Sequence, residues 1–164
     1  MGSAVRPQRE APLLIVVTDL DGSLLDHHSY RFDAAEPALA VLAARGIPVV
    51  FASSKTCSEM LLLRRALDNS HPFIVENGAA VYIPMGYFAK QPEDTEIRGQ
   101  FWVRSFAPPR ARWTTLLGEL SRSHPGDFEY FARAGVDGIV AMTGLDADAA
   151  RAAAAREYSE PLQW

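Results

Sequence analysis

The sequence predicts an α/β protein with a parallel sheet of the Rossmann type and a smaller α/β lobe after it. Two patterns predict this class. Apolar, β-rich segments alternate with amphipathic helical segments over residues 13–84, which is the order of right-handed parallel crossovers. Polar clusters follow three of the strands, at the carboxyl ends where such sheets carry their functional loops. The composition, 48% hydrophobic and 22% charged, is ordinary for a globular protein.

The strands of the predicted sheet are short apolar runs. The first run is apolar throughout, which predicts a strand buried on both faces. The four predicted strands are LLIVVT (13–18), IPVVFA (47–52), FIVEN (73–77) and AAVYIP (79–84).

Two helices are predicted between these strands. The first begins at Asp33 with Glu36 as its capping-box partner, and Gly46 follows its end. The second begins at Thr56 with Glu59 three residues later, which predicts another capping box. Apolar side chains at helical spacing give each helix a face to pack: Ala35, Leu39, Leu42 and Ala43 in the first, and Met60, Leu63 and Leu67 in the second.

The character of the chain changes after about residue 85. FWVRSFA (101–107) predicts a strand, and an apolar stripe predicts a helix that ends near His124. GIVAMTGL (138–145) predicts a strand, and Asp146 is the predicted N-cap of an Ala-rich helix. We therefore divide the chain into a leader (1–12), a core (13–85) and a lobe (86–164). The stripe consists of Trp113, Leu116, Leu117 and Leu120.

Charge and cysteine content exclude several classes of protein. A net charge of −4 argues against a nucleic-acid-binding face, which needs clustered basic residues. Cys57 is the single cysteine, which excludes an internal disulfide framework and is typical of a reducing cytosol. The apolar runs are too short to span a bilayer, and the leader has no signal-peptide pattern. These features predict a cytoplasmic protein without membrane or nucleic-acid partners.

The segment DLDGS (19–23) places two carboxylates two positions apart at the end of the first strand. Asp19 and Asp21 could bind a divalent cation, preferably Mg²⁺, attack phosphorus or carbon, or relay protons. Gly22 permits a tight backbone, and Ser23 can hydrogen-bond nearby. The alternative is a simple turn with Asp at both ends. An EF-hand is excluded because Leu24 occupies the sixth position, and a glycosyltransferase D-x-D motif remains a weaker rival.

The segment SSKT (53–56) ends the second strand and begins a helix. The hydroxyl of Ser53, the amide of Ser54 and the helix N-terminus could bind a phosphate, to which Lys55 adds charge. An N-cap cluster with Thr56 as the cap explains the same residues equally well. Cys57 is interpreted as a helix-packing residue, although its place at a helix start could lower its pKa.

The segment ENG (76–78) contains Asn-Gly, which is a strong turn signal. It could be only a turn. Glu76 and Asn77 at the end of a strand could equally contact a polar substrate.

These segments together resemble the haloacid dehalogenase-like phosphatases with large α/β caps. The resemblance rests on DLDGSLL after strand one, a hydroxyl residue ending strand two and ENGA after strand three. SSKT, VENGAAVYIP and MTGLDADAARAAAAREYSEPLQW are similar to the mannosyl-3-phosphoglycerate phosphatase branch. Glucosyl-phosphoglycerate phosphatases share these features. The resemblance covers residues 13–164 and implies a Rossmann-like core with an α/β cap.

The resemblance implies a two-step phosphoryl transfer on a phosphorylated sugar. Asp19 would attack the phosphate, and Asp21 would protonate the leaving oxygen and then activate water. Mg²⁺ would be held by the Asp19 carboxylate and the Asp21 carbonyl. The remaining site residues implied are Gly22, Ser23, Ser53 and Ser54 for the phosphate, and Lys55, Asn77, Gly78 and Arg156 for the substrate.

The chain departs from the family in one respect. The family carries a Lys and a G-D-x-x-N-D-type acidic loop after the cap, whereas the lysines here are Lys55 and Lys90 and no acidic cluster follows the lobe. The sequence thus matches about the first three-fifths of such a phosphatase. We expect an open sheet edge with an exposed apolar face, and poor hydrolysis by these residues alone. A broader sugar-phosphate phosphatase and a non-catalytic phosphate-binding fragment stay as alternatives, and the oligomeric state is not predicted.

Overall fold

A computed structural model of the chain describes residues 14–26 and 31–164, so the predicted leader lies outside the described residues. The α-helices are α1 (Glu36–Ala44), α2 (Cys57–Ala66), α3 (Ala111–Ser123), α4 (Phe131–Thr143) and α5 (Ala147–Ala154). The strands are β1 (Val16–Thr18), β2 (Val49–Ala52), β3 (Phe73–Val75), β4 (Ala80–Pro84), β5 (Glu96–Arg98), β6 (Phe101–Ser105), β7 (Glu129–Tyr130) and β8 (Leu162–Gln163). The predicted α/β class is confirmed.

The chain divides into two compact units, Met1–Phe51 and Ala52–Trp164. In the first unit β1 pairs in parallel with β2, from Val16 opposite Val49 to Thr18 opposite Phe51. The strand–helix–strand crossover predicted for this part of the chain is therefore confirmed.

Two details of the first unit differ from prediction. β1 is not buried on both faces, because Leu14, Ile15 and Val17 are each more than half exposed. Helix α1 begins three residues later than predicted, at Glu36, and its N-cap residue makes no side-chain cap bond. The Asp33 carboxylate accepts a hydrogen bond from Arg31 Nε at 2.5 Å instead, and this pairing competes with a capping role for Asp33.

The second unit contains an antiparallel sheet in the order β3-β4-β6-β5. β3 and β4 form a hairpin across the ENG turn, with Val75 opposite Ala80. The Phe73 and Tyr82 rings stack with centroids 5.2 Å apart. The guanidinium of Arg64 on α2 lies 4.5 Å from the Phe73 ring centre. β4 is therefore antiparallel to β3, so a parallel pattern does not extend to β4.

The segment predicted as the strand GIVAMTGL is helical, which corrects that prediction. Residues 138–143 form the end of α4, and Gly144 ends the helix in the left-handed conformation, at φ +75°. Ile139 is fully buried in a cluster with Ala150 and Ala153 of α5. The β-branched residues of this segment therefore pack against α5 at helical spacing, and this packing stabilises a helix rather than the predicted strand.

The predicted division into core and lobe at residue 85 is crossed by the pairing of β4 with β6. Residues 52–164 form one compact unit, and the core-and-cap division stays a prediction about the whole protein. Among the described residues, no helix is long and apolar enough to span a bilayer.

Candidate functional site

The DLDGS loop of the first unit is a tight turn. The Leu20 carbonyl accepts hydrogen bonds from the Leu25 amide at 2.8 Å and the Ser23 amide at 3.2 Å, and the Gly22 amide donates to the Leu25 carbonyl at 3.0 Å. Gly22 has φ +72°, a conformation that favours glycine because a side chain would be strained there. The tight backbone predicted at Gly22 is confirmed.

The two aspartates of this loop differ in exposure. Asp19 is exposed and Asp21 is half-buried. The Thr18 hydroxyl donates to the Asp19 carbonyl at 2.8 Å. In 14–26 and 31–164, no group of three or more His, Cys, Asp or Glu side chains could hold a metal ion. The loop offers hard oxygen donors in a small number, which fits Mg²⁺ because that ion keeps several of its waters.

The SSKT segment of the second unit is fixed by its own backbone and by the ENG turn. Ser53 is buried. Its amide donates to the Ile74 carbonyl at 3.2 Å, its carbonyl accepts from the Asn77 amide at 3.0 Å, and its hydroxyl accepts from the Lys55 amide at 3.3 Å. The Lys55 carbonyl accepts from the Glu76 amide at 3.0 Å. Residues 53–55 and 76–77 are therefore joined by paired backbone bonds.

Thr56 makes the predicted capping box. Its hydroxyl accepts from the Glu59 amide at 3.2 Å, and the Glu59 carboxylate accepts from the Thr56 amide at 2.8 Å. The same hydroxyl donates to the Ala152 carbonyl of α5 at 2.8 Å. The N-cap interpretation of Thr56 is confirmed, and this residue also links α2 to α5.

The ENG turn holds three successive residues with positive φ. Glu76 has φ +48°, Asn77 +60° and Gly78 +88°. Asparagine and glycine adopt this conformation readily, whereas glutamate does so at a cost of about 1–2 kcal/mol. Asn77 and Gly78 are exposed and Glu76 is buried. The turn interpretation of ENG is confirmed.

The Glu76 carboxylate binds the protein's own backbone. It accepts from three successive amides, those of Glu157 (2.8 Å), Tyr158 (3.2 Å) and Ser159 (2.7 Å), and from the Ser159 hydroxyl (2.5 Å). Arg156 Nη1 lies 3.9 Å from the same carboxylate. Sequence reasoning missed this contact, because residues 76 and 157 are 81 positions apart; the resemblance motifs ENG and REYSEP were its only signal.

Arg156, predicted to face a substrate, lies beside the SSKT segment. Its Nη1 donates to the Ser54 carbonyl at 3.1 Å and to the Ser159 hydroxyl at 2.9 Å. Burial lowers the pKa of the guanidinium, and the nearby Glu76 carboxylate opposes that shift. The structure brings the predicted residues of the second unit into one region: Ser53, Ser54, Lys55, Asn77, Gly78 and Arg156.

A cavity of about 520 Å³ lies beside Asn77 and Gly78. Trp113, Tyr158 and Phe106 line its wall with other, mostly apolar, residues. Trp113 is half-buried, so its indole is partly available at this cavity rather than wholly enclosed in the lobe.

The sequence matches one family model and several named relatives. A family model for haloacid dehalogenase-like hydrolases matches residues 16–95. The chain is 37% identical over 149 residues to a glucosyl-3-phosphoglycerate/mannosyl-3-phosphoglycerate phosphatase of Methanococcoides burtonii, covering 91% of this chain and 55% of that protein. It is 30% identical to a mannosyl-3-phosphoglycerate phosphatase of Pyrococcus horikoshii, covering 92% and 60%. The chain therefore spans little more than half the length of these relatives.

A solved structure has a similar fold. A phosphatase of the haloalkanoate enzyme superfamily from Bacteroides thetaiotaomicron superposes with a TM-score of 0.55 at 20% identity, covering 89% of this chain and 52% of that one. At this identity the match concerns the fold alone. It agrees with the fold class that the strand and helix pattern predicts.

Proposed function

We infer that the chain belongs to the haloacid dehalogenase-like hydrolases, and we propose that the protein containing it is a phosphoric monoester hydrolase acting on mannosyl-3-phosphoglycerate. The observation that carries the proposal is the similarity at 37% and 30% identity to relatives named as phosphatases of this substrate class. The tight DLDGS turn and the joined SSKT and ENG segments support it. In both the DLDGS turn and the joined SSKT and ENG segments, residues of the family's motifs are held by backbone hydrogen bonds.

In the proposed reaction Asp19 attacks phosphorus through a carboxylate oxygen, and the bond from phosphorus to the glycerate 3-oxygen breaks. Asp21 donates a proton to the leaving oxygen, so the alcohol departs and an aspartyl-phosphate remains. Asp21 then takes a proton from water, which attacks phosphorus and releases phosphate from Asp19. The exposure of Asp19 suits a nucleophile that a substrate must reach.

Phosphate binding is assigned to backbone and hydroxyl groups at the two loops. Gly22 keeps the DLDGS turn tight and Ser23 offers its hydroxyl to the phosphate, and Ser53 and Ser54 serve from the start of α2, where the helix dipole favours an anion. Lys55, Asn77, Gly78 and Arg156 are proposed to contact the remainder of the substrate.

The proposed cofactor is Mg²⁺, held by the Asp19 carboxylate and the Asp21 carbonyl. When bound, it offsets the negative charge that phosphate oxygens and Asp19 bring together. The donor set fits a hard cation that retains waters.

The test starts from the coding DNA beyond the Trp164 codon, read for a Lys and a G-D-x-x-N-D segment. The encoded protein is then assayed for phosphate release from mannosyl-3-phosphoglycerate with and without Mg²⁺. Asp19→Asn is expected to abolish release because it removes the nucleophile, and Asp21→Asn to slow it by about 10²–10⁴-fold. Acid-quenched protein should carry the phosphoryl group on Asp19 in mass spectrometry.

Asp26→Asn is the matched control, since Asp26 is an exposed carboxylate just after the same loop and has no assigned role. Its activity should stay within about twofold of the wild type, as for most surface substitutions. Residues 1–164 alone are expected to turn over slowly or not at all. Undiminished turnover by Asp19→Asn, or robust turnover by residues 1–164, would overturn the respective part of the proposal.

A second candidate substrate is favoured by one observation. The relatives from Methanococcoides burtonii and Persephonella marina are named for both glucosyl- and mannosyl-3-phosphoglycerate. Parallel assays with both esters and with simple sugar phosphates would separate a dual phosphatase from a mannosyl-specific one and from a broader sugar phosphatase. Binding of these esters without turnover would indicate a phosphate-binding protein instead.

A further inference from the structure

We infer that Glu76 is a positioning residue for the phosphate site: its carboxylate fixes residues 156–159 so that the Arg156 guanidinium is held against the SSKT segment. The inference rests on the proposed function, because it assumes that SSKT and Arg156 bind the phosphorylated substrate. It assigns a role to Glu76, which lies beside this site and acts on it through residues 156–159 rather than by touching the substrate.

The environment of Glu76 is unusual for a carboxylate. The side chain is only 1% exposed, and its backbone has φ +48°. Burial of an ion and a left-handed glutamate each cost free energy unless the surroundings compensate. Four hydrogen bonds from residues 157–159 supply that compensation. The conformation persists because the contacts over-determine it.

Glu76 joins three segments that are distant in sequence. Its amide donates to the Lys55 carbonyl at 3.0 Å, which ties it to SSKT. Its carboxylate ties it to residues 157–159. Arg156 stands immediately before the tethered amides, and its Nη1 reaches the Ser54 carbonyl at 3.1 Å. The tether therefore sets where the guanidinium lies relative to Ser54.

Stability alone is a weak reason for this arrangement. Buried ions often contribute no more to folding than well-packed apolar side chains of the same size. A carboxylate that receives three successive amides does more than fill space, since it fixes the path of the backbone at Arg156. The arrangement is therefore explained by the placement of the cation, and this can be separated from a structural role by measuring ligand affinity.

The test uses the full-length protein that contains residues 1–164, with inorganic phosphate and 3-phosphoglycerate as probes in titration calorimetry. Glu76→Gln is expected to weaken binding of both by about tenfold, roughly the effect of one charge-assisted hydrogen bond. In an Arg156→Gln background the same change should have little further effect, because Glu76 acts through Arg156. Amide hydrogen exchange at residues 157–159 reports the tether itself and should speed up in Glu76→Gln.

Glu160→Gln is the matched control. The Glu160 side chain is equally buried, at 1% exposed, and it bonds Arg110 and the Ala132 amide; its charge also acts on Arg156, but it does not bind residues 157–159. This variant should lose thermal stability yet keep probe affinity within about twofold. Ser159→Ala removes one donor to Glu76 and one acceptor of Arg156 Nη1, and is expected to weaken binding by about threefold. If Glu76→Gln does not fold, this variant supplies the test through the exchange of the 157–158 amides, which only the loosened tether would speed up.

The outcomes separate the two ideas. Faster exchange at 157–159 with unchanged probe affinity would make Glu76 merely structural and overturn the inference while the proposed function stands. If Glu76→Gln weakened probe binding by the same factor in the wild type and in the Arg156→Gln background, Glu76 would not act through Arg156, and the inference would be overturned too. No probe binding by the wild type would defeat the assigned phosphate site and the inference together, and slow exchange at 157–159 would then show that the tether exists without that purpose.

Discussion

Individual acidic residues of this chain have opposite environments. Asp19 is exposed at the end of β1, as its proposed role as a nucleophile requires. Glu76 is buried and accepts hydrogen bonds from residues 157–159 of the same chain. Both follow strands and both belong to the motifs that indicate the family. Their difference lies in which groups donate to them, and that depends on residues far away in sequence.

Cys57 also acquires its character from its surroundings. Burial, followed by the negative charge of Glu157, raises the pKa of Cys57 to about 11. The position at the start of α2 raised the opposite expectation, since helix N-termini favour the thiolate. Desolvation exceeds the helix effect here, so Cys57 is a neutral thiol at neutral pH. This agrees with a packing role rather than a nucleophilic one.

We predict that Cys57 reacts slowly with iodoacetamide in the folded chain. Because only the thiolate reacts, the rate should rise about tenfold for each pH unit between about pH 7 and 9.5, without levelling off. A free cysteine levels off near its pKa of about 8.5. Mass spectrometry of the alkylated chain measures the rate, and Cys57 is the single cysteine, so the signal belongs to it.

The urea-unfolded chain is the control for this experiment, and its rate should level off near pH 8.5–9. A folded chain whose rate levels off at or below pH 8.5 would show that the helix N-terminus prevails over burial, and would reopen a reactive role for Cys57.

At the scale of elements, helix α4 depends on its glycines. Gly135 interrupts the helix with φ +66° and ψ −174°, so the turns on either side of it approach closely. A methyl group added at Gly138 would stand 2.5 Å from the Ala134 Cβ. The segment GVDG thus holds the two parts of α4 close to each other. The prediction of a strand over 138–145 did not include this contact.

We predict opposite effects of Gly→Ala at two helical positions. Gly138→Ala should lower the free energy of unfolding by about 1–3 kcal/mol, because the overpacked methyl forces the backbone to shift. Gly118→Ala in α3 should raise it by about 0.5–1 kcal/mol, since alanine favours a helix interior and the new methyl would meet only the Tyr130 hydroxyl, at 3.7 Å. Urea unfolding followed by circular dichroism measures both.

The Gly118 variant is the control for helix propensity, because both changes gain the same intrinsic preference for alanine. If Gly138→Ala stabilised the chain as much as Gly118→Ala, the close approach at Ala134 would not exist and α4 would be a continuous helix.

At the scale of the whole molecule, the first unit leaves an apolar surface in contact with solvent. Leu14, Ile15, Val17 and Val41 are each at least half exposed, and α1 has no buried residue. Among the described strands, β1 has one partner, β2. This is the open edge and exposed apolar face that the sequence predicted. Exposed apolar side chains along a strand edge promote association.

We predict that residues 1–164 self-associate and bind the dye ANS. The double change Ile15→Thr with Val17→Thr should reduce both, because it removes exposed apolar side chains from the open strand. Sedimentation velocity over a concentration series measures the association.

Ile97→Thr is the matched control, since Ile97 has the same 59% exposure as Val17 and also lies on an edge strand, β5, but in the second unit. It should leave the sedimentation behaviour unchanged. A wild-type chain that stays monomeric over the whole series would contradict the prediction.

The sequence by itself determined the elements whose signals are local. Capping at Thr56 and Asp146 depends on residues three positions apart and was predictable. The tight turns at Gly22 and ENG were predictable because few residues tolerate positive φ. The family followed from motifs that the comparisons then matched.

Only the tertiary structure decided the features that depend on distant partners. The helical state of 138–143 depends on packing against Ala150 and Ala153, and β propensity alone favours a strand there. The pairing of β4 with β6 and the burial of Glu76 under residues 157–159 are likewise non-local. Caps and turns are stabilised by contacts between residues a few positions apart, whereas burial and distant hydrogen-bond partners exist only once the chain has folded.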